Sequence, residues 1–355
     1  MSLRVLVVDD SAYHRRTLSR IIGAAGDFEV VGTATDGEEA IRKVVTLAPD
    51  LLTLDLEMPR MDGYTFLRWL MRTHPLPVLV VSSRESNKSV FRALELGAAD
   101  FVLKPVSYAS ERLGQIEGEL VAKLREIAAA RPEKLAARAE RMAARPGGTP
   151  APRRAALAAG RYRCVAIGAS TGGPPALQQI LAALPADFPA AVVIAQHMPE
   201  GFTRMFADRL DRLVALRVRE AAGGEALEPG LVLLAPGGMN LLLERAPGAR
   251  VVARVEPPRP GDRYVPSVDR LLGSAARACG GALVAVVLTG MGDDGAAGIG
   301  TVRAAGGLTV AEAEETCVVY GMPREAVRTG AVQRVLPLPE IGAAIANEVL
   351  GTGQG

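Results

Sequence analysis

Short apolar runs alternate with stretches of helical periodicity from the first residues onward. Residues 4–8 read as an apolar strand ending in Asp9 and Asp10, followed by a helix over 13–22, a strand over 28–31 and a helix through 38–45. The apolar run 51–54 stops at Asp55, 77–81 stops at Ser82 and Ser83, and 100–103 stops at Lys104 and Pro105. Five strands separated by helices predict a doubly wound parallel sheet. Its notable polar residues fall at carboxyl ends of strands, where open α/β sheets bind ligands.

Near residue 105 the pattern changes. Residues 111–129 read as a closing helix, and 131–163 are rich in Ala, Arg, Pro and Gly, with 145–152 a linker by composition. Alternation resumes at Cys164, where an apolar run breaks at Gly168-Ala169-Ser170-Thr171-Gly172-Gly173. A helix over 174–184, a strand over 190–195 and a helix over 201–210 follow. Residues 214–218, 231–234, 240–244 and 250–255 read as short strands of an antiparallel excursion. A helix over 267–278 is capped by Ser267 and carries Asp269 in its first turn. A strand over 283–288, a helix over 295–305, a strand over 308–311 and a last helical pair complete the chain. The prediction is an α/β protein: a five-stranded doubly wound parallel domain over 1–125, a linker over 126–160, and a second doubly wound parallel domain with a small antiparallel excursion over 161–350.

Composition narrows the class. At 355 residues, 49% hydrophobic and 23% charged, the chain reads as a soluble globular protein of two or three domains. A net charge of +2 gives no global reason to expect a nucleic-acid or membrane partner, and the basic stretch before Arg163 reads as a solvated tether. No apolar run approaches the roughly 18 residues of a membrane span. A strand begins directly after the first residues, so no signal peptide is expected. Cys164, Cys279 and Cys317 lack metal-ligand spacing and read as reduced thiols of a cytoplasmic protein.

Three further observations carry chemistry. Gly168 and Gly172 frame Ser170 in the G-x-S-x-G spacing, in which small residues allow a tight strand-to-helix turn to present a nucleophile. The alternative is a turn in which Ser170 or Thr171 only caps the helix. Of three histidines in the chain, His197 alone lies in the second domain, at the end of another strand-like run. A third such run ends in Thr289-Gly290-Met291-Gly292-Asp293-Asp294-Gly295. Parallel strands thus deliver Ser, His and Asp to one rim, as a triad requires, with spacing unable to choose between the adjacent carboxylates. The same loop satisfies G-x-G-x-x-G, but two carboxylates would repel a pyrophosphate, which disfavours a nicotinamide oxidoreductase. In the first domain, Asp9, Asp10 and Asp55 crowd one rim with carboxylates. Such hard oxygens suit Mg²⁺, an aspartate can accept a phosphoryl group, and Ser82 and Lys104 are placed to pair with its oxygens.

Val7-Val8-Asp9-Asp10-Ser11, Asp55-Leu56-Glu57-Met58-Pro59-Arg60-Met61-Asp62-Gly63, Ser82-Ser83 and Lys104-Pro105 resemble the receiver domain of two-component response regulators. That resemblance implies Asp55 as phospho-acceptor, Mg²⁺ held by Asp10, Asp55 and the main chain of Glu57 with Asp9 nearby, Ser82 and Lys104 as phosphate-sensing residues, and Phe101 as the aromatic switch. The serine turn, Gln196-His197-Met198-Pro199, Pro266-Ser267-Val268-Asp269, the 288–295 loop and Tyr320-Gly321-Met322-Pro323 resemble the catalytic domain of the protein-glutamate methylesterases of bacterial chemotaxis. This implies the triad Ser170, His197 and Asp294, oxyanion donors at the Thr171 and Met291 amides, and no cofactor for the esterase. It further implies methylated chemoreceptors as substrates, deamidation of receptor glutamines, a histidine kinase as phosphodonor, and a receiver that masks the esterase until phosphorylated. On phosphorylation, Ser82 and Lys104 are expected to be drawn inward and Phe101 to shift. Asp293 stands where the family commonly has Asn, and a second carboxylate near His197 would favour the imidazolium.

Overall fold

The computed structural model describes residues 2–82, 87–104, 110–143, 163–248 and 250–351. The linker stretch 145–152, together with Ser83 and Pro105, lies outside the described residues. The chain divides into two compact units, Met1–Pro146 and Gly147–Gly355.

The first unit runs β1 (Leu3–Val8), α1 (Ala12–Ala24), β2 (Phe28–Ala34), α2 (Gly37–Leu47), β3 (Leu51–Leu54), α3 (Gly63–Thr73), β4 (Val78–Ser82), α4 (Asn87–Glu95), β5 (Asp100–Leu103), α5 (Ser110–Ala128) and α6 (Pro132–Ala143). The strands pair in the order β2-β1-β3-β4-β5, all parallel. β3 and β4 are buried at every position, as strands covered by helices on both faces must be. The winding reverses between β1 and β3, so Asp9 and Asp55 leave neighbouring strands at the switch point.

One element was hidden in the sequence. α6 occupies part of the stretch expected to be linker and packs on α3 and α4. Leu135 is fully buried there, and the buried Arg138 donates to the Ala98 carbonyl (2.7 Å) just beyond α4.

The second unit holds β6 (Cys164–Ala169), α7 (Gly173–Ala182), β7 (Ala191–Gln196), α8 (Phe202–Leu213), β8 (Arg217–Glu220), β9 (Leu231–Leu234), β10 (Asn240–Arg245), β11 (Val251–Glu256), α9 (Val268–Cys279), β12 (Leu283–Val287), α10 (Ala296–Ala304), β13 (Leu308–Glu312), α11 (Met322–Arg328), β14 (Arg334–Leu336) and α12 (Leu338–Leu350). Seven strands form one sheet in the order β14-β13-β12-β6-β7-β9-β8, and every pairing is parallel. The antiparallel excursion is smaller than the sequence suggested. Of the four strands assigned to it, β10 and β11 pair antiparallel, with Ala226 bridged antiparallel to Val252 of β11, whereas β8 and β9 join the edge of the parallel sheet through a short crossover.

β6 lies at the centre of this sheet. From it the chain passes to β7 and then to the edge strand β8, turns back to place β9 between those two, and later crosses to β12, β13 and β14 on the other side. Gly168 pairs with Ala195 of β7 and with Val287 of β12, so the three carboxyl ends lie level.

Candidate active site

Ser170 follows β6 directly, and its N–H donates to the Thr289 carbonyl (3.0 Å) beyond β12. Gly172 then takes φ +81°, a left-handed turn that would strain a larger residue, before α7 starts at Gly173. The loop after β12 comes equally close, since a Cβ on Gly290 would lie 2.6 Å from the Ser170 Cβ. Glycine at 290 lets two strand ends converge on the serine.

His197 follows β7, with its N–H donating to the Ala169 carbonyl (3.0 Å). Its Nε2 lies 2.8 Å from Oδ2 of Asp294. A carboxylate only accepts, so Nε2 carries the proton and Nδ1 remains the basic nitrogen. Asp294 is 2% exposed and sits against the start of α9. It also accepts from the Val268 N–H (2.7 Å), the Asp269 N–H (2.8 Å) and the Ser267 hydroxyl (3.2 Å). The helix N-terminus thereby holds an anion at a fixed position beside the imidazole.

Spacing left Asp293 and Asp294 open while the resemblance implied Asp294, and in the structure the two take different partners. Asp293 is half exposed and turns outward to Arg263 (3.2 Å) and to the Tyr264 hydroxyl (3.1 Å). Both of its carboxylate oxygens are engaged there, Oδ2 by Arg263 and Oδ1 by Tyr264.

Two peptide groups at the rim are oriented by their carbonyls. The Ser170 carbonyl accepts from the Gly173 N–H (2.7 Å) and from Nε2 of Gln196 (3.0 Å). The Gly290 carbonyl accepts from the Gly321 (3.0 Å) and Met322 (2.8 Å) N–H groups at the start of α11. In a trans peptide the N–H points opposite to the C=O, so the Thr171 and Met291 amides are both directed away from those anchors.

Several further residues support the rim in ways their motifs and spacing did not reveal. Gln196 also donates to the His197 carbonyl (3.1 Å), tying the ends of β6 and β7 together. Glu312, fully buried at the end of β13, accepts from the Thr289 N–H (2.9 Å). Asn240 accepts from the Ser267 N–H (2.8 Å). Asp269, expected only to favour its own helix, accepts from the Gly295 and Gly298 N–H groups and braces the Asp294 loop. Burial pushes its carboxyl up despite those bonds, with Asp294 and Asp293 adding to the rise.

In the first unit, carboxylate oxygens of Asp9, Asp10 and Asp55 lie within 4.8 Å of one another. Lys104 bridges Asp55 (2.5 Å) and Asp9 (2.9 Å), so it already occupies the inward position expected only on phosphorylation. Three carboxylates against one ammonium leave excess negative charge among hard oxygen donors, which fits a divalent cation. Burial raises the Asp55 carboxyl above its ordinary range even against the pull of Lys104. The Glu57 N–H donates to Asp55 (3.3 Å), while Ser82 and Phe101 are both buried on neighbouring strands. The Ser82 carbonyl accepts from the Lys104 N–H (2.7 Å).

Comparison with known proteins gives the same partition. Residues 5–114 match the response regulator receiver domain, and residues 165–345 match the CheB methylesterase family. A protein-glutamate methylesterase/protein-glutamine glutaminase of Geobacter sulfurreducens is 51% identical over 97% of this chain and 96% of its own. One from Pseudomonas aeruginosa is 46% identical over 100% of this chain and 99% of its own. The crystal structure of the Thermotoga maritima CheB methylesterase catalytic domain covers 53% of this chain and 99% of that chain, at 41% identity and a TM-score of 0.51.

Proposed function

The chain belongs to the CheB methylesterase family, and from that premise we propose that Ser170, His197 and Asp294 form its catalytic triad on a phosphorylation-controlled protein-glutamate methylesterase and glutaminase. The observation that carries the assignment is the 2.8 Å contact of His197 Nε2 with a carboxylate whose other bonds all come from the start of α9.

His197 Nδ1 takes the Ser170 hydroxyl proton as Oγ attacks the ester carbonyl of a methylated glutamate side chain. The Thr171 and Met291 N–H groups hold the tetrahedral oxyanion. The intermediate collapses as the imidazolium returns the proton to the departing methoxide, which leaves as methanol. Water, deprotonated by His197, then attacks the acyl-serine, and Ser170 recovers its proton as the glutamate carboxylate is released. With a glutamine side chain the departing group is ammonia.

In the receiver unit Asp55 is the phospho-acceptor. Asp9, Asp10, Asp55 and the main chain of Glu57 would hold Mg²⁺, which when bound neutralises charge on a phosphoryl group in transit. Lys104 and Ser82 pair with the oxygens of the phosphate, and Phe101 is the aromatic whose packing reports their movement. The substrates are methylated chemoreceptors, and the phosphodonor is a chemotaxis histidine kinase.

Methanol release from methylated receptor tests the triad. Ser170→Ala and His197→Ala are each expected to lower turnover by several orders of magnitude, since triad members act as a unit. Near-normal release by folded Ser170→Ala protein would overturn the mechanism.

A further inference from the structure

His197 is held on its edge by Asp294, but the face of its ring has a partner of its own. The Tyr264 ring is stacked on it, with ring planes 3° from parallel and centroids 5.1 Å apart. Tyr264 belongs to the loop that leads into α9, and it is tied down at its far end. Its hydroxyl donates to Asp293 (3.1 Å) and accepts from Arg263 (3.3 Å), whose guanidinium also lies over the tyrosine ring at 5.2 Å from the centroid. The same oxygen closes over Gly292, where a Cβ would collide with it. Burial first, then Asp293, pushes the phenol above its usual range, so it stays a donor.

Edge contact alone leaves an imidazole free to rock about the Nε2–Asp294 bond, which swings Nδ1 away from the serine. A stacked ring anchored by its own hydroxyl removes that motion. The stack also favours the charge that develops during the reaction. When His197 takes the serine proton it becomes an imidazolium lying on an electron-rich face, and that contact strengthens in the transition state. Arg263 would oppose this cation, and its ion pair with Asp293 (3.2 Å) balances the opposing charge.

We infer that Tyr264 is a positioning residue for the general base: clamped by Asp293 and Arg263, it fixes the plane of His197 and stabilises its protonated form during turnover. This rests on the assignment of His197 as the base. It also gives Asp293 a role, as the anchor of the clamp.

The test is steady-state methanol release by full-length protein carrying Tyr264→Ala, Tyr264→Leu or Tyr264→Phe, with Ser170→Ala as the control. Leucine fills the space without stacking, and phenylalanine stacks without the hydroxyl. Alanine and leucine are expected to lower kcat about tenfold with KM within about twofold, and phenylalanine to restore most of kcat. In proton NMR, the His197 ring signals are expected to lose their ring-current displacement in the alanine and leucine variants and to retain it with phenylalanine. Folding is checked by thermal unfolding, and the leucine variant serves if alanine does not fold. Wild-type kcat in the leucine variant, or a rise in KM with kcat unchanged, overturns the inference. If Ser170→Ala itself remains active, the triad has failed and not only this role for Tyr264.

Discussion

At the scale of single residues, two adjacent aspartates end in opposite environments. Asp294 is buried with four donors around it, whereas Asp293 faces solvent, a cation and a phenol. Asp294→Asn replaces an oxygen that only accepts with an amide, which leaves an N–H facing donors and lets the imidazole take the wrong tautomer. A loss of at least about a hundredfold in kcat is expected in methanol release. Asp293→Asn keeps an acceptor for Tyr264 and is expected to cost less than about threefold. Comparable losses from the two would mean that the carboxylates are misassigned. Ser170, His197 and the pair of aspartates were legible in the chain, because each ends an apolar run. Tyr264 and Glu312 were not, and Gln196 stood in a quoted motif without a role, because a side chain that acts by stacking or by holding a backbone group has no spacing of its own.

At the scale of elements, two helix starts show how local chemistry is reused. Ser267 caps α9 by accepting from the Arg270 N–H while its hydroxyl donates to Asp294. Ser267→Ala is expected to cost about 1 kcal/mol of stability, read as a lower midpoint in thermal unfolding, together with a few-fold loss in methanol release. A second variant that restores the cap with Asn should recover the stability more than the rate.

In α2 the device is electrostatic. Asp36 accepts from the Glu39 N–H, and the Glu39 carboxylate returns to Thr35 (2.8 Å) and to Lys43 (2.7 Å). The Lys43 bond above all lowers the Glu39 carboxyl from 4.5 to about 2. Because the folded state holds this proton more weakly than the unfolded one, the stability it gives is present above pH 4.5 and is lost as pH falls toward 2. Urea unfolding followed by the single tryptophan, Trp69 in α3, reads the first unit. Glu39→Gln should lower its midpoint at pH 7, with the gap to wild type closing as pH is lowered through that window. Most elements were visible as periodicity. α6 was masked by its Ala and Arg content, in which Leu135 is the fully buried apolar contact, and β8 and β9 were too short for their direction to be read.

For the whole molecule, two units with separate sheets each place their chemistry at the carboxyl ends of strands. If phosphorylation of Asp55 weakens a contact that covers the esterase rim, a difference of about 1.4 kcal/mol changes the open fraction about tenfold while the covered state dominates. Deleting residues 1–145 is then expected to raise basal methanol release. Asp55→Asn should abolish stimulation by a small-molecule phosphodonor and leave the basal rate unchanged. A truncated form no faster than the unphosphorylated full chain would exclude masking. The central place of β6 also bears on how the enzyme is made. β6 emerges first from the ribosome among the strands of its unit, and Cys164 finds Ala191 of β7 early, yet its other neighbour, Leu283 of β12, comes only after most of the unit has been translated. Until then one edge of β6 has no partner, open to mispairing with another nascent chain. The proposed nucleophile Ser170 and base His197 are both synthesised well before Asp294, so on the proposed mechanism a half-made chain lacks the carboxylate that would orient its imidazole.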